Sequence, residues 1–96
     1  MPPLALDFGS SRAQHAQQVE QYASALAQAV EEADAAEHAV RSRNASRAVA
    51  VTALVALARL SGILEAELRH MGGRYAGRHG LARANAAQRR LEALLG

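Results

Sequence analysis

The stretch Ala48–Met71, AVAVTALVALARLSGILEAELRHM, decides the fold, because its first eleven residues are apolar at every position except Thr52. A helix with apolar side chains on all sides needs more than one neighbour to cover it. We therefore expect this segment to be the central helix of an all-α assembly.

The size of the chain limits how much of that helix it can cover. With 96 residues it forms one domain at most, and a domain of this size buries a modest share of its surface. Oligomerisation or a partner is a natural way to complete such a core. Cysteine is absent, which excludes disulfides and thiolate metal sites.

The N-terminal segment MPPLALDFGSS lacks the basic and long apolar regions of a secretory signal. The longest nearly apolar run ends at Arg59, which is short of the roughly 20 residues of a membrane-spanning helix. We expect no membrane span, and a location in the cytoplasm or secretion by a non-Sec route.

Residues 1–10 contain two prolines and Gly9, and their pattern predicts an extended arm, with a frayed tail as the alternative. A helix is then expected to begin with Ser10 or Ser11 as its cap, because Ser11 stands at capping-box spacing from a glutamine.

The first helix carries a thin stripe at the heptad spacing of a coiled coil, and Ala dominates its second half. The stripe consists of Arg12, His15, Val19, Tyr22, Leu26, Ala29, Ala33, Ala36 and Val40. A turn is predicted at residues 42–46, where Asn44 or Ser46 can cap the next helix. One uninterrupted helix is the alternative.

The second helix carries two stripes, which imply two partners. The first consists of Ala50, Leu54, Leu57, Ser61, Leu64, Leu68, Met71 and Tyr75. The second consists of Val51, Val55, Ala58 and Gly62, and a glycine inside a helix suggests close approach of another backbone. Combining both stripes, we predict a partner interface of Val51, Leu54, Val55, Ala58, Gly62, Leu64, Leu68 and Met71.

Four glycines between residues 72 and 80 predict a hinge or loop that closes the helical hairpin of residues 11–80. Residues 81–96 then predict a shorter, mobile amphipathic helix, with Ala84, Ala87, Leu91 and Leu94 on one face.

Charge divides the chain into two halves. Residues 1–40 hold six acids and one Arg, a net charge of −5, and residues 41–96 hold ten Arg and three Glu, a net charge of +7. This division favours antiparallel pairing of the halves.

Glu67 and His70 are spaced like the Glu-x-x-His ligands of ferritin-like metal-binding bundles, and Glu31 or Glu32 could add a ligand. With a turn near residue 44, however, Glu67 lies about 16 Å along the helix from the level of Glu32. We expect these side chains to be solvated, and we assign no catalytic residue, metal or cofactor.

Six Arg between Arg69 and Arg90, with Tyr75 as a stacking platform, could contact nucleic-acid phosphates. They are spread over two segments, and the acidic half can neutralise them. Nucleic-acid binding is therefore an alternative that we do not expect.

The phrase from Leu60 to Tyr75, together with a turn near the middle of the chain, resembles the Trp-X-Gly (ESX, type VII secretion) family of small helical-hairpin proteins. Arg43-Asn44-Ala45 stands where that family has Trp-x-Gly, and His79 stands where its Tyr-based export signal has an acid. The resemblance implies a dimeric, non-enzymatic hairpin. A secretion chaperone that masks a substrate helix fits the same plan.

These observations predict an all-α antiparallel hairpin with a third helix, completed by a second copy or by another helical protein. The predicted function is a protein–protein interaction module, in the role of a secretion-system substrate, adaptor or chaperone.

Overall fold

The computed structural model describes residues 4–70 and 79–96, with side chains described for residues 14–70 and 79–96. Within these ranges the chain forms three α-helices and no strand. Helix α1 spans Leu4–Arg41, α2 spans Arg47–His70 and α3 spans Leu81–Leu95. The all-α fold is confirmed. The chain leaves the helix between α1 and α2 at residues 42–46, and α3 begins at Leu81 and ends one residue before the end of the predicted 81–96 segment.

The helices run up, down and up along one axis. His15 of α1 meets Glu67 near the end of α2, with 3.1 Å between His15 Nε2 and Glu67 Oε2. At the opposite end, the Arg47 guanidinium donates a hydrogen bond to the Leu95 carbonyl, which joins the start of α2 to the end of α3. The 38 residues of α1 span about 57 Å, which sets the long dimension of the 61 × 24 × 16 Å molecule.

The turn between α1 and α2 ends α1 with a Schellman motif, although no glycine is present. The Asn44 N–H donates to the Ala39 carbonyl at 2.8 Å, and the Arg43 N–H donates to the Val40 carbonyl at 3.1 Å. Arg43 stands at the left-handed position of the motif with φ 62°, where glycine is usual. These bonds satisfy carbonyls that the helix end leaves unpaired, so the chain turns without a helix-breaking residue.

The prediction of an extended arm is wrong for residues 4–10, which are already helical. Both prolines precede Leu4, where they interrupt no helical hydrogen bond of the described helix, and a single Gly9 costs a helix only about 1 kcal/mol. Ser10 and Ser11 therefore lie inside α1 rather than at its start.

The core is built from leucines surrounded by alanines. The largest fully buried side chains are Leu26, Leu57, Leu64, Leu68 and Leu91. Alanines from all three helices fill the space between them, among them Ala33, Ala50, Ala84 and Ala87. Because Ala presents only a methyl group, the helices can approach closely, as the Ala-rich stripe of α1 predicted.

Helix α3 is an integral part of this core and not a mobile appendage, which corrects the expectation from the glycine-rich segment. Its residues Leu81, Ala84, Ala87 and Leu91 are buried in the same cluster as α1 and α2. Gly80, with φ 79°, occupies a left-handed turn immediately before α3, a conformation that glycine adopts at little cost. The rest of the predicted hinge, Gly72, Gly73 and Gly77, lies outside the described residues.

Replacing Arg43 with Gly should stabilise the protein, because a left-handed conformation costs an L-residue about 1–2 kcal/mol and glycine much less. After allowance for the greater freedom of glycine in the unfolded chain, we expect a gain of about 0.5–1 kcal/mol. Urea unfolding of Arg43→Gly measures the gain, and Asn44→Gly next to it is the matched control. A less stable Arg43→Gly, or an equal gain in the control, would contradict the role of this turn.

Candidate interaction surface

Helix α2 is divided into a buried face and an exposed face, and each follows one of the two predicted stripes. Ala50, Leu57, Ser61, Leu64 and Leu68 are buried against α1 and α3. On the other side lies the outer face of α2, which we define as Val51, Val55, Ala58 and Gly62, all exposed. Val51 is 46% and Val55 50% exposed, so no described part of the chain covers the second stripe.

The structure separates the residues predicted to contact a partner. The four residues of the outer face are exposed, Leu54 is partly buried against the core, and Met71 lies outside the described residues. Leu64 and Leu68 are 0% and 1% exposed. Their assignment to a partner interface is wrong for this fold, since α1 and α3 already cover them.

Exposed large apolar side chains are concentrated on α2. Among the described residues they are Val49, Val51, Val55 and Ile63, between 40% and 50% exposed. Only Val51 and Val55 of these belong to the outer face, because 100° per residue places Val49 about 160° and Ile63 about 120° round the helix from Val51. Val51 and Val55, one helical turn apart, form an apolar pair on the same side of α2, and contiguous exposed apolar surface marks interaction sites.

Gly62, the last residue of the outer face, leaves open space above the helix. A Cβ atom built on Gly62 has no heavy atom within 4 Å outside its own helix backbone and neighbours. The predicted close approach of another backbone is therefore not made by any described part of this chain.

Charged residues continue the outer face at both ends. Arg47 precedes Val51 by four residues, and Glu65 and Arg69 follow Gly62 at steps of three and four. All three are exposed, and Glu65 forms no ion pair with any residue that the structure describes. Helical spacing puts them on the same side as the valines. The second stripe predicted from the sequence contains apolar residues only and so leaves out these three charged residues, although their helical spacing is visible in the sequence.

The two charge halves meet chiefly between α1 and α3. Arg90 Nη2 lies 2.7 Å from Asp34 Oδ1, and Arg90 Nε lies 3.2 Å from Glu37 Oε1. The hydrogen bond to Asp34, and to a lesser extent the one to Glu37, raises the pKa of the Arg90 guanidinium. The charge attraction thus joins α3 to α1, which run parallel, and not the antiparallel pair that the division of charge predicted, while the arginines of α2 take little part.

Because Arg90 pairs with Asp34 and Glu37, its guanidinium is already engaged by carboxylates and is a poor candidate for contacts with nucleic-acid phosphates. Arg69, Arg83 and Arg89 are exposed, whereas Arg74 and Arg78, like Tyr75, lie outside the described residues. Of the six arginines, three are therefore described as exposed and without the carboxylate contacts that Arg90 makes.

The Glu67 and His70 pair has a neighbour that the sequence did not reveal, His15 of α1. The rings of His15 and His70 meet edge to face, with 6.1 Å between their centroids. His15 Nε2 and Glu67 Oε2 are close enough for an ion pair but lack the angles of a hydrogen bond. No group of three or more His, Asp or Glu within the described ranges is placed to hold a metal ion, and Glu31 and Glu32 are exposed on α1.

By length and composition alone, α2 could cross a membrane, and only 22% of its most apolar window is buried in this fold. The core helix of a helical bundle passes the same test, and one such helix is weak evidence for a span. Arg59 lies near its middle, where a charge in a bilayer costs about 2.5–3.5 kcal/mol on insertion scales.

Comparisons of the chain with family models, with curated proteins and with solved structures find no significant match.

The division of α2 into two faces predicts unequal effects of truncation in the isolated chain. Leu64→Ala should lower the free energy of unfolding by about 2–5 kcal/mol, because it leaves a cavity in the core. Val55→Ala should change it by about 0.5 kcal/mol or less, because the side chain is half exposed. Urea unfolding at low protein concentration measures both, and equal losses at the two sites would contradict the division.

Proposed function

We propose that this chain is a non-enzymatic protein–protein interaction module that binds a helical partner through the outer face of α2. The observation that carries the proposal is the exposure of Val51 and Val55 on the helix whose other face fills the core. Burying the exposed half of each valine would stabilise a complex by about 1 kcal/mol per side chain.

The shape of the outer face supports a helix as the partner. Its four residues form a straight stripe of small and β-branched side chains, with open space above Gly62. Ridges of one helix pack into grooves of this kind on another, at distances set by the size of the side chains. A flat helical surface offers no enclosed cleft for a small substrate, so binding rather than catalysis is the activity that fits it.

The proposed cellular role is that of a substrate, adaptor or chaperone of a secretion system, either in the cytoplasm or exported without a Sec signal. A chaperone of this kind covers the apolar face of a substrate helix until it is released. Support comes from the antiparallel helical hairpin formed by α1 and α2 and from the apolar outer face. Adjacent secretion or toxin genes would be the observation that favours this role over a generic bundle.

Static light scattering over a range of concentrations tests the interaction module. We expect a dimer or larger complex of high helicity, because no described part of the chain covers the outer face. Val51→Glu/Val55→Glu should give a folded monomer. Gln18→Glu/Gln21→Glu, which adds the same charge at exposed positions of α1, should associate like the parent. A stable, monodisperse monomer of the parent chain would refute the proposal.

A further inference from the structure

Building on the proposed function, we infer that the partner of the outer face is a second copy of this chain, paired through α2 in an antiparallel, two-fold symmetric arrangement. The order of large, small and charged residues along the outer face selects one register, which a chemical cross-link can test.

The apolar part of the outer face is complementary to its own reverse. The two valines come first along α2, and the small residues Ala58 and Gly62 follow them toward its C-terminal end. When two copies run antiparallel with Val51 opposite Gly62 of the second copy, the same register sets Val55 opposite Ala58. Each large side chain then meets a small one, and the open space above Gly62 is filled by a valine.

The charges favour the same arrangement. In this register Arg47 of one copy stands opposite Ala66 of the other, one position from Glu65. Two-fold symmetry forms this Arg47–Glu65 pair twice. Arg47 already donates to the Leu95 carbonyl, but a guanidinium has further N–H groups for a carboxylate.

Parallel pairing of the same face brings like groups together. Val51 would meet Val51, Arg47 would meet Arg47 and Glu65 would meet Glu65 across the interface. Like charges in juxtaposition select against a wrong arrangement. The outer face thus distinguishes the two orientations by charge as well as by volume.

One helix face from each copy is smaller than a standard protein interface. We therefore expect a reversible dimer that dissociates on dilution. Salt should weaken it, because the Arg47–Glu65 pairs lie at the exposed edge of the interface.

Disulfide mapping tests the register, since the chain has no cysteine of its own. An equal mixture of Val51→Cys and Gly62→Cys is oxidised, and the linked peptides are identified by mass. The mixed disulfide should form about tenfold faster than the Val51→Cys self-disulfide, because two copies of position 51 stand about 16 Å apart along the helices. Gln28→Cys, on the exposed side of α1, mixed with Val51→Cys is the control for random collision.

Charge reversal is the second arm and needs no thiol. Glu65→Arg should weaken self-association about tenfold, and Arg47→Glu/Glu65→Arg should restore it, with circular dichroism verifying that both remain helical. Failure of the double variant to restore association would overturn the inferred register.

The remaining outcomes separate this inference from the proposed function. A dimer by light scattering that gives only collision-level cross-links uses another surface, which overturns the inference and leaves the interaction module intact. A predominant Val51→Cys self-disulfide overturns it in favour of parallel pairing. A chain that stays monomeric but floats with phosphatidylcholine–phosphatidylglycerol vesicles overturns both, because a membrane is then the occupant.

Discussion

The packing of α1 and α3 against one side of α2 is the constraint on which the rest of the molecule depends. Leu57, Leu64 and Leu68 of α2 lie between the other two helices, and alanines of α1 and α3 let them approach closely. The buried Ser61 is compatible with this core because its hydroxyl accepts a hydrogen bond from Gln88 Nε2 at 3.2 Å. Helices α1 and α3 thus both pack against the same side of α2.

Because α1 and α3 pack on one side of α2, no described helix covers the outer face. Arg90 holds α3 to α1 through Asp34 and Glu37, and the ends of α3 are fixed beside α1 and the start of α2. Helix α3 cannot reach the outer face without losing those contacts and its own buried residues. Among the described residues, the three helices therefore bury one stripe of α2 and leave the second stripe exposed.

Much of the fold follows from local patterns in the sequence. The heptad stripe of α1, the inner stripe of α2 and the bounds of α3 were predictable because apolar spacing reports which side of a helix is buried. The turn at residues 42–46 was predictable from Ser and Asn, although its mechanism was not. The left-handed conformation of Arg43 is not predictable from residue preferences, because glycine is the usual residue at that position.

The failures have physical causes as well. The N-terminal prolines and Gly9 suggested an arm, but prolines ahead of a helix and one glycine within it are too weak to prevent α1 from starting at Leu4. The prediction that Leu64 and Leu68 contact a partner fails because the sequence does not state which stripe the chain covers by itself. That choice depends on where α3 packs, which is determined by long-range contacts such as that of Arg90 with Asp34.

One face of α2 belongs to the core of the chain, and by our inference the outer face binds a second copy. The most direct measurement is the relaxation of methyl groups by a water-soluble gadolinium chelate, recorded by NMR over a range of protein concentrations. Leu57 and Leu64 should be protected at every concentration, whereas Val51 and Val55 should be accessible in dilute samples and become protected as the concentration rises. Valines that stay accessible at the highest concentration, or that are already protected as monomers, would contradict the account.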